Sequence, residues 1–171
     1  MRRGKRNRGR PPRKRPASYY RVDGFDLREE MLRLCGLPVF AGQDSVLART
    51  PPELAVRRAS RKPHRNLGFA IPSERRISVT AYPGIRRGDL EEVLLHELVH
   101  IAVGRNGRSW HGATFNRTLK RAMCEGYGVT GVKARGSIHG AYADAIERRR
   151  TPARPRGGGV HPNQLAIDTA F

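Results

Sequence analysis

The sequence predicts an α+β domain, in which one buried helix lies on a small antiparallel or mixed sheet and a second helix follows it. Three observations carry the prediction. Residues 67–71 and 76–82 alternate as two strands do, Leu90 to Val103 is apolar at helical spacing, and Phe115, Leu119 and Ala122 form a second helical stripe. No apolar run approaches the roughly 18 residues a membrane helix needs, so no membrane span is expected.

The chain opens on MRRGKRNRGRPPRKRP, in which nine of sixteen residues are Arg or Lys and none is acidic. The segment lacks the apolar centre of a signal peptide, and three prolines oppose an amphipathic transit helix. Residues 1–18 are therefore expected to form a disordered arm that orders only against a polyanion. Within it, Arg8-Gly9-Arg10-Pro11, extended by Arg13, Lys14 and Arg15, resembles the AT-hook, a short arm lying in the minor groove of AT-rich DNA. The glycine lets the backbone approach the groove floor, and arginines suit its narrow, strongly negative width.

Net charge supports a polyanionic partner. The chain carries 34 basic against 15 acidic residues, +19 in all, with a second cluster at Arg148, Arg149, Arg150, Arg154 and Arg156. Arms of this kind neutralise phosphates with little regard for sequence, so the expected partner is DNA, bound nonspecifically or in AT-rich minor grooves. Only five of the 34 basic residues are Lys. A compositional bias explains that choice of Arg, but not the excess of bases over acids.

Residues 19–150 are long enough to bury one core. Asp26 to Leu34 reads as an amphipathic helix with Leu27, Met31 and Leu34 on one face, broken by Gly36 to Pro38. Pro51 and Pro52 are expected to open another helix over Glu53 to Ser60. The strands follow, joined by Pro72-Ser73-Glu74-Arg75, with Ile77, Val79 and Ala81 on the inward face of the second. The sequence does not say which strand lies at the edge of the sheet.

The next helix carries the chemistry. Asp89 and Glu92 have the spacing of a capping box, apolar residues follow, and Gly104 supplies the stop. Inside it stands His96-Glu97-Leu98-Val99-His100. Residues four apart share a helix face, so the two histidines can hold one metal ion while Glu97 reaches a water beside it. The bland alternative is a pair of surface histidines, yet a helix this apolar is buried, and buried imidazoles need partners.

A catalytic zinc needs a third protein ligand and one open position. The metzincin pattern would place a histidine six residues after His100, where this chain has Asn106. His111 is the better candidate: the turn from Gly104 to Ser109 reverses the chain, and a helix beginning at His111 would face Phe115, Leu119 and Ala122 inward. Glu125 is the other, but it lies about 21 Å further along that helix, so the two cannot serve together. Trp110 and Phe115 would either wall the site or belong to ordinary core.

Taken with WHGATF after HELVH and the upstream Leu67-Gly68-Phe69-Ala70 and Arg76-Ile77-Ser78-Val79, the chain resembles the SprT-like zinc metalloproteases, whose eukaryotic members include Spartan. The resemblance covers roughly residues 25–130. It implies a zincin-like minimal protease domain, a single Zn2+ on His96, His100 and His111, Glu97 as catalytic base, and substrates that are proteins held on DNA. Many members carry a Cys-rich zinc ribbon after the protease domain, whereas this chain has only Cys35 and Cys124. Both thiols read as buried small apolar groups in a reducing compartment.

That compartment is expected to be cytoplasmic or nucleoid-associated, with a phage-encoded origin left open. Tyr82, Tyr127, His139 and Tyr142 are polar groups able to steady an oxyanion, with no motif to choose among them. Tyr127 to Lys133 reads as a short extended piece, Ala141 to Arg150 as a final helix, and residues 151–171 as a flexible tail rich in Pro and Gly. The competing class is a non-catalytic protein, nucleic-acid-binding or part of a virion, that zinc merely staples. A structural site, however, has no use for a Glu beside its first ligand and often closes with Cys.

Overall fold

Asp26 sets the start of the first helix. In the computed structural model, which describes residues 15–41, 47, 49–64, 66–104, 109–132 and 140–151, its carboxylate accepts from the backbone N–H groups of Arg28 and Glu29 at 3.0 and 3.1 Å. This cap satisfies two donors that the first turn leaves free. Before it, Arg21–Val22 (β1) and Phe25–Asp26 (β2) form a minimal antiparallel hairpin, and α1 then runs Leu27–Cys35 with Leu27, Met31 and Leu34 buried, as the periodicity predicts. Of the expected DNA-contacting arm, Arg8, Gly9, Arg10, Pro11, Arg13 and Lys14 lie outside the described residues, as do His139 and the tail from 152. Arg15 is described, its guanidinium 4.3 Å above the ring of Tyr19.

The helix expected over Glu53 to Ser60 is a strand. Glu53–Arg58 (β3) buries Leu54 and Val56 and exposes Glu53 and Arg57, a period of two up to the exposed Arg58 at its end. Pairing outweighed the helical preference of Glu-Leu-Ala, because β3 lies parallel to Arg76–Ala81 (β5) with Leu54 opposite Ile77 and Val56 opposite Val79. Gly68–Ile71 (β4) pairs antiparallel with the other side of β5, so the sheet is mixed, ordered β3-β5-β4, and β4 is an edge.

Helix α2, Arg87–Val103, is the axis of the fold. Every residue from Leu90 to His100 is buried, because α1, the helices Ala113–Tyr127 (α3) and Ala141–Arg150 (α4), and strands β4 and β5 all pack on it. A helix apolar on all sides belongs in that position. Gly104 ends it as expected, with a left-handed φ of 66°.

The start of α2 differs from the expected capping box. Asp89 receives Arg86 side-chain hydrogen bonds of 2.8 and 2.9 Å, and the helix begins three residues earlier than that box implies, at Arg87. Glu92 turns away to α4, where it accepts the N–H groups of Gly140 and Ala143 at 3.0 and 2.8 Å. In return, Glu147 of α4 accepts the N–H of Gly88 at 2.6 Å. Each helix thus caps the other's positive end with a carboxylate. The close approach needs glycine at 88, where a Cβ would lie 2.8 Å from the carbonyl oxygen of Ala143.

Three other expectations change. Helix α3 begins at Ala113, not His111, because Gly112 is extended at ψ −175° and serves as the N-cap. Residues 129–132 form no strand, since α3 runs to Tyr127 and Gly128 turns the chain at φ 65°. Cys35 is buried, but Cys124 is exposed, on the outer face of α3.

Candidate metal centre

Three imidazoles converge at one point. The Nε2 atoms of His96 and His100 on α2 are 3.2 Å apart, and that of His111 lies 3.2 Å from the first and 3.1 Å from the second. Four-residue spacing on α2 stacks the first pair. The third arrives from the segment before α3, where Ser109 Oγ accepts the His111 N–H at 3.2 Å and Asn116 Nδ2 donates to the His111 carbonyl at 2.9 Å.

Beneath all three rings lies Phe115, 2% exposed, with its centroid 5.0, 4.4 and 4.8 Å from those of His96, His100 and His111. It is core and wall at once.

The donors fit a metal ion. Three facing ring nitrogens cannot satisfy one another by hydrogen bonds, since each carries at most one proton or one lone pair. Tetrahedral coordination with bonds of about 2.0–2.1 Å would space them about 3.3–3.4 Å apart, close to what is found. His96 and His100 are 9% and 8% exposed, and burial first, then the His111 charge, push His100 down to about 4. Burial lowers His111 as well. Neutral imidazole is the form that binds metal. The Nδ1 of His100 is buried with no hydrogen-bond partner among the described residues, so ligation through Nε2 uses the nitrogen that has company.

Glu125 is not part of this group. Its carboxylate takes Arg121 Nε at 2.7 Å and the Val39 N–H at 2.6 Å. Among the described residues, His96, His100 and His111 are the set that could hold an ion.

Glu97 lines the same cavity, of about 320 Å³, with Asn66, Gly68, Phe69, Ala70 and Trp110. It is 4% exposed, and burial raises its carboxyl to about 8. Gly68 makes room for it: a Cβ there would lie 2.6 Å from Val93 Cγ1 and 2.9 Å from Glu97 Oε1. The edge strand β4 therefore rides directly over the acid. Two exposed aromatics flank the opening, Phe69 at 41% and Trp110 at 43%, the latter with its ring 5.8 Å from that of His100.

The other polar candidates stand elsewhere. Tyr127 donates to Glu30 at 2.7 Å, and neither Tyr82 nor Tyr142 lines the cavity. Asn66, Gly68 and Asn116 escaped the sequence reading. Only Gly68 carried a signal, since an isolated glycine in a strand marks a close approach.

No protein-family model and no curated protein matches the chain. Among solved structures, it is similar to the crystal structure of the metallopeptidase zymogen of Pyrococcus abyssi abylysin, at 18% identity and a TM-score of 0.37, over 73% of this chain and 89% of that one. A likeness this slight carries neither fold nor activity across. What the chain itself defines is an α+β domain with a three-histidine site able to hold a metal ion.

Proposed function

We propose that the protein is a zinc metallopeptidase in which His96, His100 and His111 hold one Zn2+ and Glu97 is the general base. The observation that carries this reading is the placement of a buried carboxylate in the same cavity as three converging imidazoles. When bound there, zinc supplies Lewis acidity that polarises a carbonyl and acidifies water. Glu97 takes the proton of the attacking water and delivers it to the departing amine nitrogen.

Burial raises the proton affinity of Glu97 towards neutrality, while a cation on the neighbouring imidazoles opposes that rise. A group that must accept and then release a proton needs such a balance.

Strand β4 supplies positioning. Its outer edge borders the cavity through Gly68, Phe69 and Ala70, so an extended peptide can add to the sheet with one carbonyl near the imidazoles. Asn66, in the cavity lining, is an uncharged polar group suited to an oxyanion, whereas Tyr82, Tyr127 and Tyr142 do not line the cavity. The SprT-like resemblance and the basic arm of residues 1–18 support DNA-associated proteins as substrates, the arm raising enzyme and substrate concentration on one polymer.

The test compares purified wild type with Glu97→Gln by metal analysis and casein hydrolysis, with and without DNA. Both proteins should contain one zinc, and only wild type should cleave. Cleavage by the mutant would remove Glu97 from its role, bound zinc with no cleavage by wild type would favour the non-catalytic, zinc-stapled alternative, and absence of zinc from both would overturn the metal site itself.

A further inference from the structure

On the face of α3 away from the core, Arg117, Lys120 and Arg121 follow one another at helical spacing, all exposed. Across a groove floored by residues 129–132 stand Arg148 and Arg149 of α4, also exposed. Two adjoining depressions share that floor, so the five cations border one continuous surface.

Carboxylates on these helices are already engaged. Glu125 holds Arg121, Asp144 holds Arg86 and Glu147 holds the N–H of Gly88. Arg117, Lys120, Arg148 and Arg149 have no carboxylate partner among the described residues. Four uncompensated cations on two helices that both pack on α2 create a positive field that a polyanion neutralises.

We propose that this α3–α4 groove is a second nucleic-acid contact, on the folded body and independent of the terminal arm, that seats the phosphate backbone of duplex DNA. Single strands are held chiefly by bases stacking on aromatic rings. The one aromatic in the lining, Tyr142, is 4% exposed and offers no such platform. Phosphates are what remain for the groove to read, and binding is sequence-tolerant.

The groove shares no lining residue with the cavity of the three histidines. The inference does not depend on catalysis.

The experiment measures fluorescence anisotropy of a labelled 20-base-pair DNA against the full chain over a range of NaCl concentrations. The comparison protein carries Arg117→Gln, Lys120→Gln, Arg148→Gln and Arg149→Gln, with the arm intact. At about 0.9 per phosphate, the slope of log K against log salt should fall in magnitude by about 3 to 4, with affinity at 100 mM salt weakened at least tenfold. Should the quadruple variant melt early, Arg117→Gln with Lys120→Gln alone should lower the slope by about 2. An unchanged slope in a folded variant overturns the groove and leaves all binding to the arm. Tighter binding of single-stranded DNA, or of duplex RNA of the same sequence, overturns the choice of ligand.

Discussion

Replacing Gly68 with alanine puts a methyl group where β4 crosses α2. Carbon atoms rest about 3.5–4.0 Å apart, so a contact of 2.6 Å to Val93 Cγ1 must open by about 1 Å, and one of 2.9 Å to Glu97 Oε1 must open as well. Neither neighbour has an easy escape, because Val93 and Glu97 are 1% and 4% exposed. Overpacking of this kind costs about 1–3 kcal/mol, which lowers the Tm of a domain this size by about 3–12 °C. The displaced carboxylate matters more: with Glu97 as the proposed general base, a shift near 1 Å should lower kcat by about 100-fold. The assay is peptide hydrolysis with metal content and melting on the same sample. Zinc should stay at one per chain, since the three ligands are not displaced. Gly36→Ala is the control, with an ordinary φ of −82° and its nearest neighbour 3.4 Å away, and it should cost little. A Gly68→Ala protein that melts and turns over as wild type does would refute the claim that β4 fixes Glu97.

Other expectations rest on separate parts of the structure. His111→Ala should abolish stoichiometric zinc by metal analysis, whereas Glu125→Ala should leave it unchanged; the reverse would move the third ligand to α3. Glu30 is pushed up by burial, but hydrogen bonds from Arg33 and Tyr127 and the Arg33 charge prevail and hold it below the usual carboxylate range. A lowered carboxyl stabilises the fold above its unfolded value of about 4.5 and loses that contribution as pH falls through the folded value. Denaturant unfolding should therefore show Glu30→Gln about 1.5–3 kcal/mol less stable at pH 7, with the gap narrowing below pH 4.5. A gap independent of pH would show that packing, not charge, is responsible.

Much of the site was legible because its logic is local. His96, Glu97 and His100 sit on one helix whose period is known; the rise per residue showed that His111 and Glu125 could not serve together, and the turn before His111 favoured the former. What escaped was set by pairing across the chain. Glu53 to Arg58 looked helical because its strand character comes from lying beside Ile77 and Val79. Asp89 and Glu92 looked like one cap, yet the first is taken by Arg86 and the second reaches 48 residues ahead to Gly140. Gly68 shows the same limit: its need for space is created by Glu97, on an element the sequence does not place beside it.

The mutual capping of α2 and α4 has a consequence away from where it occurs. Shortening the chain at residue 139 would take no imidazole and no proton carrier from the cleft. It would nonetheless strand the Glu92 carboxylate and the Gly88 amide in the interior, freeing the leading end of the rod whose trailing half bears His96 and His100. The aim of those two rings is thus governed in part by the last described helix, and wear at the C-terminal end would blunt the centre without touching it.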